Sequence, residues 1–126
     1  MKAHAKILLI EDDPEEQGVI EAVLKQRKYR VISARSPAKA VAYFSEHSDF
    51  DLVICDLHMP GMNGHEVLQA LQKVKPGVVF LVVTADPDSV LADKAIQSGA
   101  VSILGKPFLV RHLNEAIDKA LSKPSP

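Results

Sequence analysis

Leu52-Val53-Ile54-Cys55-Asp56-Leu57-His58-Met59-Pro60-Gly61 is the segment from which the fold can be read. Its apolar run is too short and too β-branched for a helix, and it passes through one carboxylate into a Pro-Gly turn signal. A buried strand is predicted, with Asp56 at its C-terminal tip. Ligands of an open α/β sheet bind at that edge, so what matters is which residues the flanking segments bring beside Asp56.

Upstream, Ile7-Leu8-Leu9-Ile10 is a similar run ending in three acids, Glu11-Asp12-Asp13, and reads as the first strand. Asp13-Pro14-Glu15-Glu16 then starts a helix, with Asp13 as N-cap, Pro14 at the first helical position and Glu16 placed to close a capping box. Val19, Ile20, Val23 and Leu24 recur at helical spacing and predict its buried face, with an end near Lys28. Tyr29 to Ala34 is a short second strand. Ser36-Pro37 repeats the cap-then-proline start, and Ala40, Val41 and Phe44 share a face of the second helix.

Downstream, Pro60-Gly61-Met62-Asn63-Gly64 is a loop, and Val67, Leu68, Leu71 and Val74 mark a third helix that Pro76-Gly77 ends. Val78 to Thr84 is apolar without alternation, as in a parallel strand covered on both faces. Asp86-Pro87 offers the next cap and helix start, followed by Val90, Leu91, Ala95 and Ile96, with Gly99 as the stop. Ala100 to Leu104 is a fifth strand, Gly105-Lys106-Pro107 follows, and Leu109, Leu113, Ile117 and Leu121 mark the last helix. Strands and helices alternating in this way predict an α/β fold, a doubly wound five-stranded parallel sheet with five helices. Glu11, Asp12, Asp56, Thr84 and Lys106 then converge at one edge of it.

Composition narrows the function. At 126 residues, 47% hydrophobic and 25% charged, the chain has the make-up of one globular domain. Fifteen basic against 16 acidic residues, with no Lys/Arg cluster, give no broad positive field, so no direct nucleic-acid binding is expected. The longest apolar run falls far short of the roughly 20 residues a bilayer requires, and no secretory signal is evident, so no membrane role is expected. The lone Cys55 lies within an apolar strand and reads as a buried, inert thiol, which suits a cytoplasmic setting. The histidines, His4, His47, His58, His65 and His112, lack zinc spacing.

Three carboxylates brought together stay ionised only if cations offset their charge. Magnesium suits such a set: Asp12 and Asp56 could bind it directly and Glu11 through water. Lys106 would add a fixed positive charge and Thr84 a hydroxyl donor, the surroundings a phosphoryl group requires. A carboxylate nucleophile can accept phosphate as an acyl phosphate. Asp56, a lone acid leading into a glycine-containing loop, is the predicted acceptor.

Leu9-Ile10-Glu11-Asp12, Ile54 to Gly64, Val83-Thr84-Ala85 and Lys106-Pro107-Phe108 together resemble the motifs of the response-regulator receiver domain of two-component signalling. The resemblance runs from about Lys6 to Leu121, with 1–121 as a receiver domain and 122–126 as a tail or the start of a linker. It implies a flavodoxin-like receiver fold that acts as a phosphoacceptor switch. Asp56 would take phosphate from the phosphohistidine of a sensor histidine kinase or phosphotransfer protein. Glu11, Asp12, Asp56 and the backbone carbonyl of His58 would organise magnesium, and Thr84 and Lys106 would contact the phosphoryl group. The resemblance also implies a cis Lys106-Pro107 bond, an unnamed output partner, a docking face on the last two helices and a possible homodimer through it.

One position departs from the pattern. The family often has a switching aromatic three residues before the lysine; here Ile103 stands there, a β-branched side chain with no ring to swing. His58 and Asp86 lie two residues beyond Asp56 and Thr84, where the family tunes the lifetime of the acyl phosphate. Two other functions compete. A pseudo-receiver that only binds partners is expected to lack part of the acidic site. A haloacid-dehalogenase-type phosphohydrolase is expected to carry a second Asp two residues after the nucleophile, on the first strand. Every polar position is filled here, and His58 occupies that spacing on the third strand, so a switch that modifies only itself, not an enzyme acting on a metabolite, is the expectation.

Overall fold

The computed structural model describes residues 4–122. Strands β1 (Lys6–Ile10), β2 (Arg30–Ala34), β3 (Leu52–Asp56), β4 (Phe80–Thr84) and β5 (Ser102–Gly105) alternate with helices α1 (Pro14–Gln26), α2 (Pro37–Glu46), α3 (Gly64–Val74), α4 (Val90–Gln97) and α5 (Val110–Leu121). The strands form one parallel sheet in the order β2-β1-β3-β4-β5. The expected fold class is the one observed. Because the chain leaves β1 for one edge and returns past it to form β3, the topological switch point falls between β1 and β3.

The unbroken apolar strands are explained by two cores. Successive side chains point to opposite faces, so Leu8, Ile10, Val53, Cys55, Phe80 and Val82 pack with Phe44, Val67, Leu68 and Leu71 beneath α2, α3 and α4. Ile7, Leu9, Leu52, Ile54, Leu81 and Val83 pack with Ile20, Leu24, Leu113 and Ile117 beneath α1 and α5. Each fully buried Leu, Ile or Phe contributes about 1.5–3 kcal/mol relative to exposure.

Several expected boundaries move. The cap of α4 is Ser89, whose side chain accepts from the Ala92 N–H, not Asp86. Asp86 and Pro87 instead form the preceding turn, in which the Asp86 N–H donates to Thr84 Oγ1 and the Ser89 N–H to the Asp86 carbonyl. The inward face of α4 is correspondingly Ala92 and Ala95, small residues that let the helix lie close to its neighbours, while Val90 and Ile96 are exposed. On α1, Gln17 is buried and Val19 is half exposed, lining a groove with Ile20, Pro107 and Phe108. Val74 ends α3 partly exposed, and Leu109 is the N-cap of α5, not part of its buried face. Hydrogen-bonded pairing starts β4 at Phe80 and shifts β5 to Ser102–Gly105; Val78 and Ala100 are buried all the same. Ser122 closes α5, and residues 123–126 of the expected tail lie outside the described residues. Among the described residues no helix is long and apolar enough to cross a membrane.

Candidate functional site

Parallel strands all end at the same edge, and this edge collects the polar residues. Glu11 directly follows β1, and its N–H donates to the Ala34 carbonyl at 3.1 Å, which fixes its backbone against β2. Only 1% of Glu11 is exposed. Its Oε2 accepts from the Asp13 N–H at 3.3 Å and its Oε1 from Lys106 Nζ at 2.9 Å. Asp56 ends β3, buried, with Oδ1 accepting from the His58 N–H at 3.3 Å and Oδ2 3.4 Å from Lys106 Nζ. Carboxylate oxygens of Glu11, Asp12 and Asp56 lie within 4.8 Å of one another.

The backbone holds these groups tightly. Asp56 pairs with Val83 in β4, and Thr84, fully buried, pairs with Gly105 in β5. The Lys106 N–H donates to the Thr84 carbonyl at 2.7 Å, carrying the ladder one residue further and aligning the lysine with the strand ends. Lys106-Pro107 is cis, as expected. Behind Asp56, the Gly64 N–H donates to the Leu57 carbonyl, and a Cβ on Gly64 would lie 2.6 Å from the Asp56 carbonyl oxygen. Only glycine lets α3 begin this close to the strand.

Charge follows from this packing. Burial pushes the Glu11 carboxyl up to about 7 from an ordinary 4.5; the negative charge of Asp56 adds to the rise, and Lys106 opposes it. Burial works to lower the Lys106 ammonium, but hydrogen bonds to Glu11 and Glu16 and the charge of Asp56 outweigh it, so its proton is held more tightly than usual. Burial also pushes the Cys55 thiol far up, in keeping with an inert side chain.

The chain thus brings Glu11, Asp12, Asp56 and Lys106 together, with Thr84 ending the neighbouring strand. The side chain of His58 lies apart from them: its Nε2 is 3.2 Å from Asp86 Oδ2, tying the loop after β3 to the loop after β4. Two neighbours differ from their sequence reading: Gly64, more than a loop residue, lets α3 start against Asp56, and Glu16 accepts from Lys106 at 3.0 Å through Oε2 and so does not close the predicted capping box. That box fails for a local reason, because the Asp13 N–H it needs is already bonded to Glu11 and the Asp13 side chain accepts from the Glu15 N–H.

The fold is a doubly wound α/β domain whose switch-point edge gathers three acids and the Lys106 ammonium. The chain belongs to the response regulator receiver domain family, whose pattern matches residues 7–118. It is 35% identical over 122 residues to the transcriptional regulatory protein GlrR of Escherichia coli K12, covering 97% of this chain and 27% of that one. To ZraR of Salmonella typhimurium it is 34% identical over 116 residues, covering 92% and 26%. The chain therefore spans about a quarter of the length of these regulators. Among solved structures, the non-phosphorylated HemR receiver domain of Leptospira biflexa is 29% identical with a TM-score of 0.88, covering 97% of this chain and 98% of that one. The receiver domain of a Pseudomonas aeruginosa sensor histidine kinase, solved with magnesium in its active-site cleft, is 27% identical with a TM-score of 0.86, covering 96% and 100%.

Proposed function

We propose that Asp56 is the phosphoacceptor of this receiver domain and that magnesium, Thr84 and Lys106 serve its phosphorylation. The observation carrying this reading is the position of Asp56: it combines a strand-end carboxylate, two acidic neighbours within 4.8 Å and the Lys106 ammonium 3.4 Å away. An Asp56 oxygen attacks the phosphorus of a phosphohistidine, an O–P bond forms as the P–N bond breaks, and the imidazole leaves with its electron pair and takes up a proton. Lys106 offsets charge on the phosphoryl oxygens, and Thr84 offers its hydroxyl to one of them.

The donor set fits magnesium, which prefers a few carboxylate oxygens plus waters. Glu11, Asp12, Asp56 and the His58 carbonyl would hold it. Bound there, it supplies positive charge to the phosphoryl oxygens and to the acids themselves. Glu11 supports this fit: a carboxyl so buried is expensive to ionise alone, and a divalent cation offsets that cost.

The phosphoryl donor in this reading is a sensor histidine kinase or phosphotransfer protein, the compartment is the cytoplasm, and the only reactions catalysed are the domain's own phosphorylation and dephosphorylation. Residues 1–121 form the receiver, with 122–126 as a tail or the start of a linker to an output partner. A homodimer through α4 and α5 is favoured by the exposed Val90, Ile96 and Val110 on those helices. Ile103, half-buried against the core beneath α4, has no ring to reorient, so an aromatic switch at this position is not part of this reading. Intact mass after incubation with acetyl phosphate tests the site. One phosphoryl adduct is expected on the wild type with magnesium, and none without magnesium or on Asp56→Asn; an adduct on Asp56→Asn would move the acceptor elsewhere.

A further inference from the structure

Lys106 has three N–H donors and three carboxylates around it. Two acceptors lie on the β1–α1 side, Glu11 Oε1 at 2.9 Å and Glu16 Oε2 at 3.0 Å, while Asp56 Oδ2 is further off at 3.4 Å. The buried ammonium is therefore held mainly away from Asp56. The Glu16 carboxylate has no capping duty in α1, because the Asp13 N–H it would accept from is bonded to Glu11. In this arrangement the partner of its carboxylate is Lys106.

We propose that Glu16 is a positioning residue that draws Lys106 toward α1 in the resting protein and competes for it with a phosphoryl group on Asp56. The inference rests on the phosphoacceptor reading above. A phosphoryl group brings close to two negative charges and three strong acceptor oxygens to Asp56. To meet them squarely, the ammonium must weaken one of its present bonds. Ionised Glu11, its side chain only 2% exposed, keeps its charge offset only by Lys106 or a bound cation. Releasing Glu16, 40% exposed, lets water replace the lysine. Glu16 is thus the partner that yields, and its hold subtracts from the attraction between Lys106 and the phosphoryl group.

Beryllium fluoride with magnesium, which bonds a carboxylate oxygen and mimics the phosphoryl group of an acyl phosphate, gives a direct test. Its affinity is measured by fluorine NMR on the wild type, Glu16→Gln and Glu15→Gln, while the nitrogen resonance of the Lys106 ammonium is followed. Glu15→Gln removes the same charge one residue away, on an exposed side chain outside the three that pair with Lys106. An amide accepts a hydrogen bond without the charge assistance, so Glu16→Gln is expected to bind the mimic roughly threefold more tightly and to shift the Lys106 resonance. Glu15→Gln is expected to do neither. Equal affinities in the wild type and Glu16→Gln, or equal gains in both variants, overturn the proposal and leave Asp56 as the acceptor. No binding to the wild type at all removes the acceptor reading itself, and this inference with it.

Discussion

In the metal-free protein, Glu11→Gln is expected to gain stability relative to the wild type as pH rises. In the fold the Glu11 carboxyl holds its proton up to about pH 7, against 4.5 ordinarily, because it is buried beside Asp56. An acid whose folded pKa is raised favours folding at low pH. That contribution is complete below 4.5 and is lost as pH rises from 4.5 through 7, where the unfolded chain has already released its proton. At about 1.4 kcal/mol per tenfold in proton affinity, the loss comes to about 3 kcal/mol once pH exceeds 7. Gln does not titrate; its one oxygen can accept from Lys106 or from the Asp13 N–H but not from both, a cost that is the same at every pH. In urea denaturation with a chelator present, the variant's stability relative to the wild type should therefore rise by about 3 kcal/mol between pH 4.5 and roughly pH 8, a midpoint change of about 1–3 M. Saturating magnesium should reduce this rise, because a cation that binds the ionised site stabilises the wild type by mass action. A relative stability that changes by less than about 0.5 kcal/mol across this range, or that falls as pH rises, would refute the assignment of the raised group to Glu11.

Two further substitutions probe the scaffold around the site. Gly64→Ala puts a methyl group 2.6 Å from the Asp56 carbonyl oxygen and 3.0 Å from the Leu57 Cα, both backbone, so it should cost about 1–3 kcal/mol in urea and slow phosphorylation of Asp56; a loss below 0.5 kcal/mol would show that α3 yields easily. Ser89→Ala should lower stability by about 1 kcal/mol through loss of the Ala92 cap bond, whereas Asp86→Ala should leave it within about 0.5 kcal/mol; the reverse order in thermal melts would restore Asp86 as the cap of α4.

The strands and most helix starts were readable because their signals are local. An apolar run bounded by turn residues needs both faces covered, and Ser36-Pro37 and Asp13-Pro14 cap α2 and α1 as their order suggests. Helix faces were harder. Periodicity identifies apolar residues on one side but not which of them a neighbour covers, so Val19, Val90 and Ile96 looked like core and proved partly or largely exposed. In α4 the small side chains Ala92 and Ala95 decide the docking face, a preference a hydrophobicity pattern underweights. Asp86 and Ser89 were both plausible caps; Thr84 decides between them by engaging the Asp86 N–H.

The order of residues along the chain was enough to bring Glu11, Asp12, Asp56, Thr84 and Lys106 to one edge, because every strand of a parallel sheet delivers its C-terminal end to the same side. Nothing in that order could reveal Glu16 as a partner of Lys106, since the two are 90 positions apart and meet only when α1 packs beside the end of β5. The same holds for the Glu11 proton. Its affinity depends on lost water, on the distance to Asp56 and on the reach of the Lys106 ammonium, which are properties of packing and have no value until the chain has folded.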